Sequence, residues 1–136
     1  MPEVSLNYLA MLAAVVGLQI LGFVWYSKPV FGGAWMNLIG KTEEDLKKSS
    51  PVKTMTLGLL LSILMVYVLA HFVDYTEAET FWDGIVTGVW LWVGFFFTTA
   101  GMNFLYERRP FKLFLIEAVY FLIGISLAGG ILAVWA

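Results

Sequence analysis

The sequence predicts an all-α integral membrane protein, a four-helix bundle with a short interfacial helical segment between the first and second spans. Three observations predict this fold. Hydrophobic residues make up 60% of the 136 residues. Charged residues make up only 13%, against about 25% in a typical soluble domain. Finally, the chain contains several apolar stretches of about 20 residues, the length that spans a bilayer as a helix. A soluble domain would need more polar residues than this chain has.

Four apolar stretches, at about 6–26, 52–73, 81–105 and 111–135, are the predicted spans, and residues 1–136 form a single membrane domain. Apolar residues occupy every face of these stretches, as in helices surrounded by lipid and unlike amphipathic surface helices. No stretch alternates in polarity as a barrel strand does. The first stretch is preceded by an acidic segment and lacks a small-residue cleavage site. We therefore expect it to be retained and not removed as a signal peptide.

The longest connection, residues 27–51, predicts two short helical segments. Apolar residues recur at helical spacing from Val30 to Ile39. This pattern is typical of a helix lying at the membrane interface, with Trp35 at headgroup level. In the second segment, Thr42 can cap a helix and Asp45 follows three residues later, with acidic residues in the first turn and lysines in the last. We expect a solvated surface helix there.

The basic residues predict the orientation in the membrane. All eight Lys and Arg residues fall in the first and third loops or at the adjoining span ends: Lys28, Lys41, Lys47, Lys48, Lys53, Arg108, Arg109 and Lys112. Because positively charged loops stay on the cytoplasmic side, both termini are expected to be extracytoplasmic. The expected location is the inner (plasma) membrane, with membrane lipid as the general partner.

Glu117 is the charged residue that lies inside a predicted span. A charged side chain at the centre of a membrane helix costs about 2.5–3.5 kcal/mol on insertion scales, so Glu117 is expected to face the bundle. Folding the spans together predicts a polar cluster near it: Gln19, Tyr26, Thr99, Asn103, Glu117 and Tyr120. Arg109 or Lys112 can reach this cluster from the membrane rim. The cluster either holds the helices in register by hydrogen bonds or lines a small cavity in which Glu117 binds a cation or a proton.

A second candidate surface combines aromatic and charged residues on the predicted cytoplasmic side. Its members are Trp25, Ser27, Trp35, Glu107, Arg108 and Arg109, with Met36 beside them. Such a surface would bind a protein partner, whose identity the sequence does not indicate, or lipid. Small-residue faces, such as Gly84-x-x-x-Gly88 and Gly124-x-x-x-Ala128, allow close helix packing within one chain or in a homo-oligomer.

Several classes of site are not expected. One histidine, His71, with no cysteine in the chain, does not make an ordinary zinc site, and no cofactor is expected. The chain has no nucleophile–base motif and no phosphate-binding loop, so we do not expect an enzyme. The absence of cysteine excludes thiol-redox chemistry, and the acidic net charge argues against a nucleic-acid partner.

Two motifs are distinctive, Gly22-Phe-Val-Trp25-Tyr26-Ser27 and Tyr106-Glu107-Arg108-Arg109-Pro110. With Thr42-Glu43-Glu44-Asp45-Leu46 between them, they resemble a bacterial four-span membrane family, the domain of unknown function seventeen-sixty-one. The resemblance covers nearly the whole chain, although Lys28 separates Ser27 from the proline that usually follows it. It implies an inner-membrane protein without an assigned activity, and it points to the motifs on the predicted cytoplasmic side as the functional part.

Three functions are open from the sequence. The first is a small oligomeric transporter or channel-like protein that uses the cluster around Glu117, with protomers sharing the pathway because four spans leave little room for one. The alternative is a non-catalytic membrane scaffold or assembly factor that binds a partner or lipid through its aromatic and basic residues. An enzyme acting on lipid has the weakest support.

Overall fold

The computed structural model describes residues 3–48 and 50–135, and the described residues are helical with short connections. In chain order, the elements are α1 (Tyr8–Trp25), a π-helical turn (Lys28–Gly32), α2 (Gly33–Ile39), α3 (Glu43–Lys48), α4 (Pro51–Tyr75), α5 (Phe81–Leu91), a π-helical segment (Trp92–Phe97), α6 (Thr98–Glu107) and α7 (Phe111–Val134). Four helical stretches are long and apolar enough to cross a membrane: α1, α4, the continuous stretch from α5 to α6, and α7. The all-α, four-span prediction is confirmed, and the observed span ends lie within two residues of the predicted ones.

The spans run up and down, so the loops collect at two ends of the bundle. We call the end that carries α2, α3 and the α6–α7 loop the basic end, because all the Lys and Arg residues lie there. The opposite end, with the α4–α5 loop and the ends of α1 and α7, is the acidic end. There the Asn7 side chain caps α1 by accepting hydrogen bonds from the amides of Leu9 and Ala10, and it donates to the carbonyl of Trp135. This contact ties the start of the first span to the end of the last.

Helix α7 is the central helix of the bundle, and it touches α5 through glycines. A Cβ atom added at Gly84 would lie 2.1 Å from the carbonyl oxygen of Gly129, and one added at Gly88 would lie 2.7 Å from that of Ile125. The two backbones are therefore in direct contact. Gly124 meets α1 in the same way, with an added Cβ 2.8 Å from the Leu18 side chain. These small-residue faces are used inside the chain, so the predicted homo-oligomer, which stays a prediction, needs another face.

The acidic half of the bundle is closed by side chains from three spans. Its buried core includes Ala10, Ala14, Leu18, Val66, Leu69, Ala70, Val73, Ala128 and Leu132. These side chains fill the space between α1, α4 and α7 without a charged group. The centre of the acidic half is therefore an apolar core, and a cavity of about 500 Å³ with acidic residues in its lining opens beyond it at the acidic end.

The basic half is open on the side of α4. Every residue from 51 to 61 is exposed, and a Cβ added at Gly58 would meet nothing within 4 Å. The Gln19 amide nitrogen donates to Ser62 Oγ over 3.0 Å, at the depth where α4 leaves the core. A crevice between α1 and α4 therefore opens from this hydrogen bond toward the basic end.

The connection between the first two spans folds much as the sequence predicts. Helix α2 ends at Gly40, whose φ of 70° is left-handed and suits a residue without a Cβ. Helix α3 begins with a reciprocal cap. The amide of Thr42 donates to Asp45 Oδ2 over 3.0 Å, and the amide of Asp45 donates to Thr42 Oγ1 over 3.2 Å. Ser49, which belongs to this connection, lies outside the described residues.

The third span changes its inward face at the π-helical segment Trp92–Phe97. A π turn accommodates an extra residue, and one residue turns a helix by about 100°. At the first residue of the segment, the Trp92 indole donates to the Ala118 carbonyl of α7. Phe97, the last residue of the segment, and Phe104 of α6 pack on Phe114 of α7, with ring centroids 6.0 and 5.3 Å apart. The inward stripe therefore departs from the regular helical spacing that the sequence prediction assumed.

Candidate functional site

An ion pair occupies the basic half of the bundle. Arg109 donates twice to Glu117, with Nη1–Oε2 and Nη2–Oε1 distances of 3.3 and 3.4 Å. The Arg109 side chain is 35% exposed and that of Glu117 is 27% exposed. Arg108 has a φ of 52° and ends α6, so the chain turns and Arg109 lies over the first turns of α7. Of the two basic residues that could reach Glu117 from the membrane rim, Arg109 is the one that pairs with it. Lys112 makes no ion pair among the described residues.

Five aromatic side chains from α1, the π turn, α2 and α7 contact one another in the same half of the bundle, and we call them the aromatic shell. They are Trp25, Tyr26, Phe31, Trp35 and Tyr120. The Tyr26 ring is 5.3 Å from Tyr120 and 5.4 Å from Trp35, both edge to face. Such geometry adds about 0.5–1.5 kcal/mol per pair beyond the area buried. The shell joins the end of α1, the π turn, α2 and α7 into one rigid unit.

Two tryptophans fix the position of α7 beside Glu117. The indole nitrogen of Trp25 donates to the carbonyl of Ile116 over 3.1 Å. That of Trp92 donates to the carbonyl of Ala118 over 3.0 Å. These two carbonyls belong to the residues on either side of Glu117, so α1 and the third span both hold the backbone that carries the carboxylate. The sequence prediction missed Trp92, although an indole N–H inside a membrane needs an acceptor.

We expect Trp92→Phe to destabilise the bundle by about 0.5–1.5 kcal/mol, because the aromatic packing is kept and one hydrogen bond is lost. The free energy of unfolding in lipid bicelles measures this loss. Trp90→Phe is the matched control, since Trp90 is 73% exposed on the same span. Equal stability of the two variants would contradict the role given to the Trp92 indole.

The predicted polar cluster is only partly assembled. Tyr26, Glu117 and Tyr120 lie in one region, and Tyr120 donates to the carbonyl of Leu18 over 3.4 Å. Gln19 does not join them, because its amide bonds Ser62 on α4.

Thr99 and Asn103 are also outside the cluster. The Thr99 hydroxyl donates to carbonyls of its own helix, those of Phe95 and Phe96. Asn103 is exposed and makes no hydrogen bond among the described residues. The structure therefore gives neither side chain a hydrogen bond to Glu117, and Thr99 instead lines a cavity with Phe96 and Ile125.

The predicted aromatic and basic surface divides into two parts. Trp25 and Trp35 belong to the aromatic shell, and the Ser27 hydroxyl donates to the carbonyl of Val24 over 2.6 Å, at the end of α1. Glu107 and Arg108 are exposed at the end of α6 and make no side-chain ion pair within the described part of the chain. Arg109 turns away from that surface to pair with Glu117.

A cavity of about 340 Å³, which we call the basic-end pocket, opens beside the aromatic shell. Its lining includes Tyr26, Trp35, Met36, Lys28, Lys47 and Glu43. Lys28 forms an ion pair with Glu43 and thereby joins the π turn to α3. Two lysines against one carboxylate give the lining a net positive charge, in a place where aromatic rings form one wall.

The Lys28 ammonium beside Glu43 holds the pKa of that carboxyl below its ordinary value. Because the charged form of Glu43 is favoured in the fold, the bridge is present above this pKa and opens as the pH falls through it. We expect Lys28→Gln to raise the pKa of Glu43 toward its ordinary value of 4.5. An NMR titration of the side-chain carboxyl carbon measures this, with Lys112→Gln as the control. An unchanged pKa in Lys28→Gln would contradict the bridge.

The spans, the ion pair inside the bundle and the apolar core define a multi-pass helical membrane protein. The chain belongs to the family described as protein of unknown function DUF1761, whose sequence profile matches residues 9–133. The match includes both distinctive motifs and confirms the family that they resemble. No curated protein and no solved structure matches the chain. The family carries no assigned activity, so the function has to be argued from the site.

Proposed function

We propose that the protein is a non-catalytic membrane scaffold that binds a partner or lipid through the aromatic shell and the basic-end pocket. The observation that carries the proposal is the pocket itself. It combines lysine ammonium groups with Trp, Tyr and Met side chains at the basic end of the bundle. Aromatic and methionine side chains with a few fixed charges are typical of binding surfaces. The basic end is the one that the charge distribution predicts to be cytoplasmic.

Two further features support binding over transport. Among the described residues, the core between α1, α4 and α7 in the acidic half is apolar and offers no charged group to a solute crossing a single chain. Glu117 is already neutralised by two hydrogen bonds from Arg109, so its charge is satisfied without a bound ion. The shell is held by ring contacts and by the Trp25 indole bond to α7, so a docking partner would meet a preformed surface.

The experiment that tests the proposal is photo-crosslinking in native membranes. A photoreactive phenylalanine derivative replaces Met36, which lines the pocket, or Leu61, which is 67% exposed on α4 as a lipid-facing control. We expect a discrete adduct, protein or lipid, at position 36 that weakens when Trp35→Ala is added. The proposal would be contradicted by the same adducts at both positions. It would also be contradicted by an adduct at position 36 whose yield Trp35→Ala does not change.

A second candidate is the small oligomeric transporter or channel-like protein, and the ion pair favours it. The Arg109 guanidinium occupies the position beside Glu117 that a transported cation would take, and the Glu117 side chain is 27% exposed. Ionisable groups inside a membrane span mark transport sites by default. In this account a proton or cation replaces Arg109 on Glu117, and protomers share the pathway.

Proteoliposomes test the transporter directly, with proton- or cation-coupled flux measured for the natural protein and for Glu117→Gln. The transporter account expects flux that the substitution abolishes. Equal flux in both preparations, or none in either, would count against it and leave the scaffold as the supported function.

A further inference from the structure

A second cavity lies in the crevice between α1 and α4, deeper in the bundle than the basic-end pocket. The pocket reaches Tyr26 on α1 and Pro51 on α4. The second cavity, of about 510 Å³, begins one turn deeper on both helices, at Phe23 and Met55. The two cavities therefore follow the same pair of helices in succession. We call the deeper one the α1–α4 groove.

The α1–α4 groove is mostly apolar and closed at its inner end. Phe23, Met55 and Leu59 form its walls, and Gly58 leaves it wide. Its inner end is the hydrogen bond between Gln19 and Ser62, where each side chain satisfies the other. Gln19 is seven residues from Tyr26, which puts the inner end of the groove about 10 Å deeper than the basic-end pocket at 1.5 Å per residue. That depth lies within the hydrocarbon core of a bilayer.

From these two cavities we infer that the protein binds one anionic phospholipid, with its phosphate headgroup in the basic-end pocket and an acyl chain in the α1–α4 groove. The inference deepens the proposed function by naming the ligand class of the same site. The pocket lies at the interface and offers positive charge, and the groove below it is apolar and at acyl-chain depth. An anionic phospholipid matches this order, because its charged headgroup lies at the interface and its apolar acyl chains extend below it.

The charges of the pocket explain why an anionic headgroup fits. Lys28 is held by Glu43, and Lys47 lines the same pocket. A phosphate would replace Glu43 as the partner of the Lys28 ammonium. Glu43 would then pair with the lysines of α3. Each basic residue at a membrane interface generally contributes about 1 kcal/mol of attraction to anionic headgroups. Tyr26 and Trp35 line the pocket where interfacial aromatic rings ordinarily meet headgroups.

The test is native mass spectrometry of the full-length protein in mild detergent, titrated with phosphatidylglycerol, with phosphatidylcholine of the same chains, or with glycerol phosphate. We expect one phosphatidylglycerol adduct that is retained over phosphatidylcholine. Lys28→Gln should weaken it about fivefold, the effect of one well-placed lysine. Gly58→Phe should abolish it by filling the groove. A Cβ added at Gly58 meets nothing within 4 Å, so the new side chain starts in open space.

The matched controls are Lys112→Gln at the basic end and Leu61→Phe on the exposed face of α4, and neither should change the adduct. Equal retention of both lipids, or indifference to Lys28→Gln and Gly58→Phe, would overturn the inference. Full displacement of the lipid by glycerol phosphate would also overturn it, because the site would then recognise phosphate alone. If no lipid is retained while the Trp35-dependent adduct at position 36 is a protein, the inference fails and the scaffold stands.

Discussion

Gly84→Ala is expected to destabilise the bundle by about 3 kcal/mol, the upper end of what overpacking costs. A Cβ at this position would lie 2.1 Å from the carbonyl oxygen of Gly129. The atom it meets belongs to a backbone, so no side-chain rotation relieves the overlap. Helices α5 and α7 would have to separate, and the packing between them would be lost. Steric trapping or SDS titration in bicelles measures the free energy of unfolding.

Gly58→Ala is the matched control, since it adds the same methyl group to a membrane helix where nothing lies within 4 Å. Its stability should equal or slightly exceed that of the natural protein, because alanine has the higher helix propensity. If both alanine variants unfold at the same denaturant concentration, α5 and α7 are not in the backbone contact described above.

Arg109→Met has the second largest expected effect, because it leaves the Glu117 carboxylate inside the span without a partner. Exposed ion pairs contribute about 0–1 kcal/mol, whereas breaking a buried pair costs about 3–5 kcal/mol. With side chains 35% and 27% exposed, the pair lies between these limits. We expect a loss of about 2 kcal/mol in the free energy of unfolding.

Lys112→Met is the control, an exposed basic residue near the start of α7 that should have little effect. Adding Glu117→Gln to Arg109→Met should restore most of the lost stability, because the unpaired charge is removed. A double variant no more stable than Arg109→Met alone would show that Arg109 does not act through Glu117.

The sequence predicts those parts of the fold that depend on local chemistry. The four spans follow from their apolar length, and the cap of α3 follows from Thr42 and Asp45. The partner of Glu117 is also predictable, because a carboxylate in lipid needs a basic side chain within reach and Arg109 lies near the rim. Each of these depends on a few residues close together in the chain, or on the general cost of charge in a membrane.

The missed features depend on how helices meet. Sequence spacing treats the third span as a regular helix, and no composition rule indicates the π-helical segment Trp92–Phe97. The helical pattern gives the face on which Gln19 lies but not that Ser62 of α4 covers this face. The α1–α4 groove is likewise invisible in a sequence whose apolar residues surround every span.

The central claim is that α1 and α4 separate at the basic half of the bundle to form a groove in which a ligand binds. The most direct measurement is double electron–electron resonance in nanodiscs on spin-label pairs introduced into this cysteine-free chain. One pair replaces Phe23 and Met55 across the groove, and the control pair replaces Leu12 and Val68, exposed residues of the same two helices outside it. The account predicts that the distance distribution of the first pair narrows when phosphatidylglycerol is added, while that of the control pair does not change. A first-pair distribution that the lipid leaves unchanged, or equal narrowing in both pairs, would contradict it.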